Sequence, residues 1–228
     1  MKKRILFIAT ILTLCSSVAR ADNLADGIKA HHKSNYVQAL ELLRPIAEEG
    51  KAIAQGLLGR MYLRGEGVTQ DYQEAAKWFH LAAEQGDAYS QGKLGGMYDV
   101  GLGVAQNDQE AVKWLRLAAE QGEVLAQTVL GMSYHYGNGV TQDYQEAAKW
   151  FRLAAELGDA IAQNTLGSSY FHGMGVTQDY QEAAKWFRLA AEQGDAYSQF
   201  NLGSCYFHGM GVTQDYQEAA KWFRLAAE

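Results

Sequence analysis

Ser90-Gln91-Gly92-Lys93 has the spacing with which a serine nucleophile and a lysine partner work in acyl transfer. The match stands alone. It is confined to one stretch of the chain, and no Lys-Thr-Gly follows it. Gly65-x-Gly67 would suit a phosphate cradle, but copies recur at Gly101/Gly103, Gly137/Gly139, Gly173/Gly175 and Gly209/Gly211. None follows a run that reads as a strand, so they read as turn glycines. His135, His172 and His208 lie on successive units, with Asp99 one unit earlier. Metal ligands must converge within ~4 Å, whereas packed helices lie ~8–10 Å apart. These side chains therefore read as surface or peptide-contacting groups, and no catalytic residue, metal or cofactor is expected. Glu74 with Lys77, and its copies, reads as a helix-surface ion pair. Cys205 stands where other units have Ser133 and Ser169, as a small buried thiol or, alternatively, as an intermolecular disulfide partner.

The stretch that must position all of these is Asp71-Tyr72-Gln73-Glu74-Ala75-Ala76-Lys77-Trp78-Phe79, which recurs along the chain. Trp78, Trp114, Trp150, Trp186 and Trp222 are the 5 tryptophans of the protein, and a constant step of 36 residues separates them. A fixed period of this size marks a stacked repeat array. The units run 51–86, 87–122, 123–158, 159–194 and 195–228, after an atypical unit at 22–50. Each reads as two helices joined by a Gly-x-Gly-Val loop. The expected fold is an all-α solenoid of helix-turn-helix repeats. Asp71, Asn107, Asp143, Asp179 and Asp215 precede a glutamate by three residues, the pattern of a capping box in which each side chain satisfies an amide of the other's turn. Gly86, Gly122, Gly158 and Gly194 are the C-terminal stops. Tyr72, Trp78, Phe79 and Leu81 are expected to fill the space between units, and Pro45 to loosen the helix near Arg44.

Met1-Lys2-Lys3-Arg4, an apolar run from Ile5 to Leu14 and Ala19-Arg20-Ala21 read together as a secretory signal peptide at 1–21. The run is shorter than the ~20 residues that span a bilayer, and Leu14 before Cys15 disfavours a lipid anchor there. Loss of Lys2, Lys3, Arg4 and Arg20 takes the net charge from −6 to about −10. Nucleic acid and anionic lipid both select basic patches, so neither is expected as a partner, and no membrane span is expected. The export signal points to the periplasm or the medium.

The recurring Ala-x-x-x-x-Leu-Gly-x-x-Tyr-x-x-Gly-x-Gly-Val, followed by Asp-x-x-x-Ala-x-x-Trp-Phe-x-x-Ala-Ala-x-x-Gly, resembles the Sel-one-like repeat of secreted bacterial proteins. That family is a relative of the tetratricopeptide repeat. The resemblance is dense over 51–228, and 22–50 is similar to a shorter tetratricopeptide-like unit. It implies a right-handed superhelix, an α-solenoid whose first helices line a concave face, and adaptor or scaffold work in the bacterial envelope or in contact with host cells. A cysteine-rich branch of the family binds penicillin. Its paired cysteines are missing here, and that activity is not carried over.

Packing positions repeat, while positions three, six, ten, thirteen and fourteen of each unit vary. These form a stripe at helical spacing. Arg60, Tyr89, Asp99, Met132, His135, Tyr136, Asn164, Phe171, His172, Tyr197, Phe200, Phe207 and His208 on that stripe are the expected contacts for a protein or peptide partner. Two rival readings remain open: a cell-wall-active or penicillin-binding enzyme, tested at Ser90 and Lys93, and a structural oligomer. The oligomer would self-associate through the C-terminal end, where the last helix has no polar capping helix after it and the chain reads as cut short or covered by a second copy.

Overall fold

The computed structural model describes residues 23–228, so the signal-peptide reading of 1–21 and Cys15 lies outside the described residues. Among the described residues the chain is helical throughout its regular structure, in twelve helices. They are α1 (residues 23–32), α2 (Tyr36–Glu48), α3 (Ala52–Arg64), α4 (Tyr72–Glu84), α5 (Ala88–Val100), α6 (Asp108–Glu120), α7 (Val124–Tyr136), α8 (Tyr144–Glu156), α9 (Ala160–His172), α10 (Tyr180–Glu192), α11 (Ala196–His208) and α12 (Tyr216–Ala226). Contacts divide the chain into two compact units, one ending at Gln106 and the other spanning Asn107–Glu228.

In the first unit α3 packs on α2 and α4, and α4 on α5. Its core joins Ala39, Leu43, Ile46 and Ala47 of α2 to Ala54, Leu58 and Met61 of α3, with Trp78 of α4 packed against it. In the second unit each helix from α6 to α12 packs on the next. One core there gathers Ala147, Phe151, Ala154 and Ala155 with Ala162 and Leu166, and Trp186 covers it from the following repeat. Alanines let the helix backbones approach, and one phenylalanine per repeat fills what remains. Phe151 is fully buried, and a methyl group on Gly131 would come within 2.7 Å of its ring.

The apolar assignment needs correction in two places. Phe79, Phe151 and Phe187 are buried, but Tyr72, Leu81, Leu153 and Leu189 are exposed and do not fill seams. Of the tryptophans only Trp114 is buried, at 7% exposure, while Trp78, Trp150, Trp186 and Trp222 are half-buried. Trp78, Trp186 and Trp222 each pack against the buried cluster that reaches into the preceding repeat.

The caps also differ from the sequence expectation in one respect. Asp143 accepts from the backbone N–H groups of Gln145 and Glu146, as a capping residue should. Glu146 does not reach back to the amide of Asp143. That amide donates instead to the carbonyl of Tyr134, 2.9 Å away on the preceding helix, which leaves the glutamate free to pair with Lys149. Asp71, Asp179 and Asp215 use the carbonyls of Tyr62, Tyr170 and Tyr206 in the same way. The first helices are capped too, by Asp87, Glu123, Asp159 and Asp195. Helix α2 continues through Pro45 to Glu48, and Pro45 lies on an exposed side.

Successive repeats are clasped by one recurrent contact. Arg116, Arg152 and Arg188 donate to the hydroxyls of Tyr134, Tyr170 and Tyr206 at 2.5–2.7 Å, each reaching from a second helix to the next first helix. Arg44 and Tyr62 make the same clasp in the first unit.

Candidate partner-binding face

The expected contact residues are all exposed or half-buried, and they fall into two different settings. In the first unit they are held by neighbours. Arg60 Nε lies 3.7 Å from the Glu66 carboxylate, which also pairs with Arg64 and accepts a 3.0 Å contact from the buried His31. Tyr89 stands edge-on to Phe79, with Lys93 Nζ 5.1 Å above its ring. Asp99 is half-buried and engaged.

The second unit brings its residues together as aromatic triads. His135 meets Tyr136 at 4.7 Å and Tyr144 at 5.1 Å between ring centres, with interplanar angles of 77° and 70°. Phe171 meets His172 and Tyr180, both at 5.0 Å and at 71° and 67°. Phe207 meets His208 at 4.9 Å and Tyr216 at 5.3 Å, at 82° and 68°. Edge-to-face pairs of this kind are the favoured aromatic geometry. A notch of about 70 Å³ opens beside the second triad, between Phe171, His172, Asn201 and Ser204. Desolvation holds the His135 imidazole below its ordinary pKa.

A common clamp fixes each triad. Gln142 Nε2 donates to the carbonyl of His135 at 2.7 Å and to the Tyr144 hydroxyl at 2.9 Å. Gln178 does the same for Phe171 and Tyr180, and Gln214 for Phe207 and Tyr216. Sequence reasoning missed Tyr144, Tyr180 and Tyr216, which it had assigned to packing between units. The available signal was the fixed Gln-x-Tyr spacing across the loop.

Position six of the stripe changes setting along the chain, from buried seam at Gly56 and Thr128 to open surface at Phe200. Gly56 and Thr128 are buried, and Thr128 Oγ1 lies 3.1 Å from Oδ1 of Asp159 in the next repeat. Asn164 accepts from Asn201 at 3.1 Å. Phe200 is exposed and lies 5.4 Å from Phe223, Tyr197 is the most open aromatic at 78%, and Met132 packs on the core.

The isolated chemical motifs resolve into packing. Ser90 is fully buried, and a methyl group on Gly56 would come within 2.9 Å of its hydroxyl. No cluster of three or more metal-ligating side chains occurs among the described residues. Cys205 is fully buried and free, and desolvation pushes its thiol up to about 11, which removes the accessible thiolate that an intermolecular disulfide needs. In the native protein at about pH 8, Cys205 should resist a disulfide-exchange reagent and titrate fully once denaturant is added. Rapid native labelling would show that this core opens.

The Sel1 repeat profile matches residues 23–51, 52–87, 88–123, 124–159, 160–195 and 196–228. The chain belongs to the Sel1 repeat family. A Sel1 repeat protein of Oxalobacter formigenes superposes with a TM-score of 0.85 at 37% identity, over 90% of this chain and 82% of that one. A protective antigen of uropathogenic Escherichia coli strains, described as an SLR fold, superposes with a TM-score of 0.86 at 38% identity. That match covers 96% of this chain and 48% of the antigen, so the chain spans about half the length of that relative. A Klebsiella pneumoniae Sel1 repeat protein, at 22% identity and a TM-score of 0.52 over 81% of this chain and 90% of its own, shares the fold alone. No curated protein matches the sequence. The fold is thus the SLR solenoid of stacked helix pairs, and Sel1 repeats are typically non-catalytic scaffolds for protein interaction. No helix among the described residues is long and apolar enough to cross a membrane.

Proposed function

We propose that the chain is a non-catalytic adaptor, exported by its leader to the periplasm or beyond, that holds a protein or peptide segment against the first helices of its second unit. The observation that carries this reading is the row of aromatic triads. A side chain of high apolar content stays in water at Tyr136 (67% exposed) and Phe207 (45%), while Leu130 and Leu202 on the same two helices are fully buried. Exposed aromatic groups on a rigid scaffold are the usual anchors of an interface. The E. coli relative is a protective antigen of uropathogenic strains, which supports action outside the cytoplasm and contact with a host.

The test is a photo-crosslinking residue in place of Tyr197 in the full chain, expressed in cells, with and without Tyr136→Ala, Phe171→Ala and Phe207→Ala together. Loss of each anchor should cost about 1–2 kcal/mol of binding, so the triple variant should lose its adduct while circular dichroism stays unchanged. An adduct that forms equally in both proteins overturns the assignment of this face.

A further inference from the structure

The first helices of the second unit and the loops that follow them carry no formal charge. Residues 124–142, 160–178 and 196–214 contain no Asp, Glu, Lys or Arg, although 20% of the whole chain is charged. The carboxylates at the two ends of these stretches are engaged in helix capping: Glu123, Asp159 and Asp195 each accept a backbone N–H of the helix they precede, and Asp143, Asp179 and Asp215 each accept two at the start of the following helix. An uncharged face selects an uncharged occupant, since a charge placed there would lose water and gain no counter-charge.

The triads also fix the form of that occupant. In each, two flanking rings stand at 67–82° to a central ring, so one three-ring site recurs per repeat. The Asn201–Asn164 bond ties α11 to α9, and the general interaxial distance of neighbouring helices, about 8–10 Å, serves as the step from one three-ring site to the next. A polyproline II segment rises about 3.1 Å per residue with three residues per turn, so its third residues recur every ~9.3 Å on one side. Same-side residues of a β-strand recur every ~6.7 Å and fall out of step. An α-helix keeps pace with a seven-residue repeat at ~1.5 Å per residue, but uses its own carbonyls internally.

The sites present donors that need free carbonyls. The hydroxyls of Tyr144, Tyr180 and Tyr216 accept from Gln142, Gln178 and Gln214, and that clamp leaves each O–H proton to donate outward. Polyproline II has no internal hydrogen bonds, so its carbonyls are available.

We infer that the aromatic triads of the second unit bind an uncharged, proline-rich segment in polyproline II form, one three-ring site per three residues. Aromatic-lined grooves dock such segments because the ligand is already ordered. The inference rests on the adaptor reading of this face and specifies its ligand.

The test uses the full chain and a fluorescein-labelled, end-capped 12-residue peptide with proline at two of every three positions and alanine at the third. Competitors are a Gly-Ser peptide and an Ala-Gln helix former of equal length. Anisotropy should saturate with the proline peptide below about 1 mM, be insensitive to salt, and resist both competitors. Tyr180→Phe, which keeps the ring and removes one donor, should weaken binding about three- to tenfold. Phe171→Ala with Phe207→Ala should weaken it more than about tenfold. No saturation, equal competition by the helix former, or an unchanged affinity in Tyr180→Phe overturns the inference. If the proline peptide fails while the crosslinked adduct at Tyr197 still depends on the triads, the ligand class is wrong and the face is right. If both fail, the face falls as well.

Discussion

Phe151→Ala should lower the free energy of unfolding by about 3–5 kcal/mol, the usual cost of emptying a well-packed aromatic site. Phe151 has no exposed surface and packs among Ala147, Ala154, Ala155, Ala162 and Leu166. Small neighbours of this kind cannot swing in to refill the space. Its ring also lies against Gly131 on the partner helix of the same repeat, so the hole opens between α7 and α8 as well as toward α9. Urea denaturation followed by circular dichroism measures the loss. Trp150→Ala, one residue earlier, is the control: that ring is only half-buried, and its removal should cost clearly less than the phenylalanine despite its greater size. Equal costs would mean that the tryptophan face carries the seam.

Gly175→Ala should cost roughly 2–5 kcal/mol, from the left-handed backbone and an overlap together. Gly175 has φ +73, and a methyl group there would sit inside the backbone of Tyr144, at the first residue of α8 in the preceding repeat. A helix start cannot retreat as a side chain can. Gly173, two residues earlier, has nearly the same φ of +70, but its methyl would meet Gln178 at 3.3 Å and beyond. Gly173→Ala should therefore show only the conformational part, about 1–2 kcal/mol. In a repeat array stability is a sum of unit and nearest-neighbour terms, so Gly175→Ala should weaken the joint between two repeats and broaden the unfolding transition. Identical midpoints for the two variants would remove the backbone overlap from the account.

The contrast between these two glycines shows where sequence reading stops. The 36-residue step of tryptophan, the capping aspartates and the Gly-x-Gly turns are local patterns, and each predicted its helix or loop correctly. The reading of both glycines as turn residues was also correct, but the reason that the second must lack a side chain lies in another repeat. The same limit governs Tyr72, Leu81 and their copies. Their spacing on the helix suits a packing face, yet which side of a second helix meets its neighbours depends on how helix pairs stack. The candidate face was legible in part. Variable positions marked Phe171, His172, Phe207 and His208, whereas Tyr144, Tyr180 and Tyr216 belong to a repeated motif and looked like scaffold. Position six was placed on the open stripe because its residues vary, and Thr128 and Asn164 show that variation there tracks the neighbouring helix.

The clasps in the second unit pair arginine with tyrosine at every joint, and Gly175 and Gly211 meet the backbone of Tyr144 and Tyr180 at equivalent places. Excision of residues 159–194 would set Arg152 opposite Tyr206 and Gly211 opposite Tyr144, and each would find the partner it has now. Copy number is therefore a free variable for the gene. Recombination between repeats can lengthen or shorten the ladder of ring sites by whole steps without inventing a new joint, and the reach of the ligand would change in proportion.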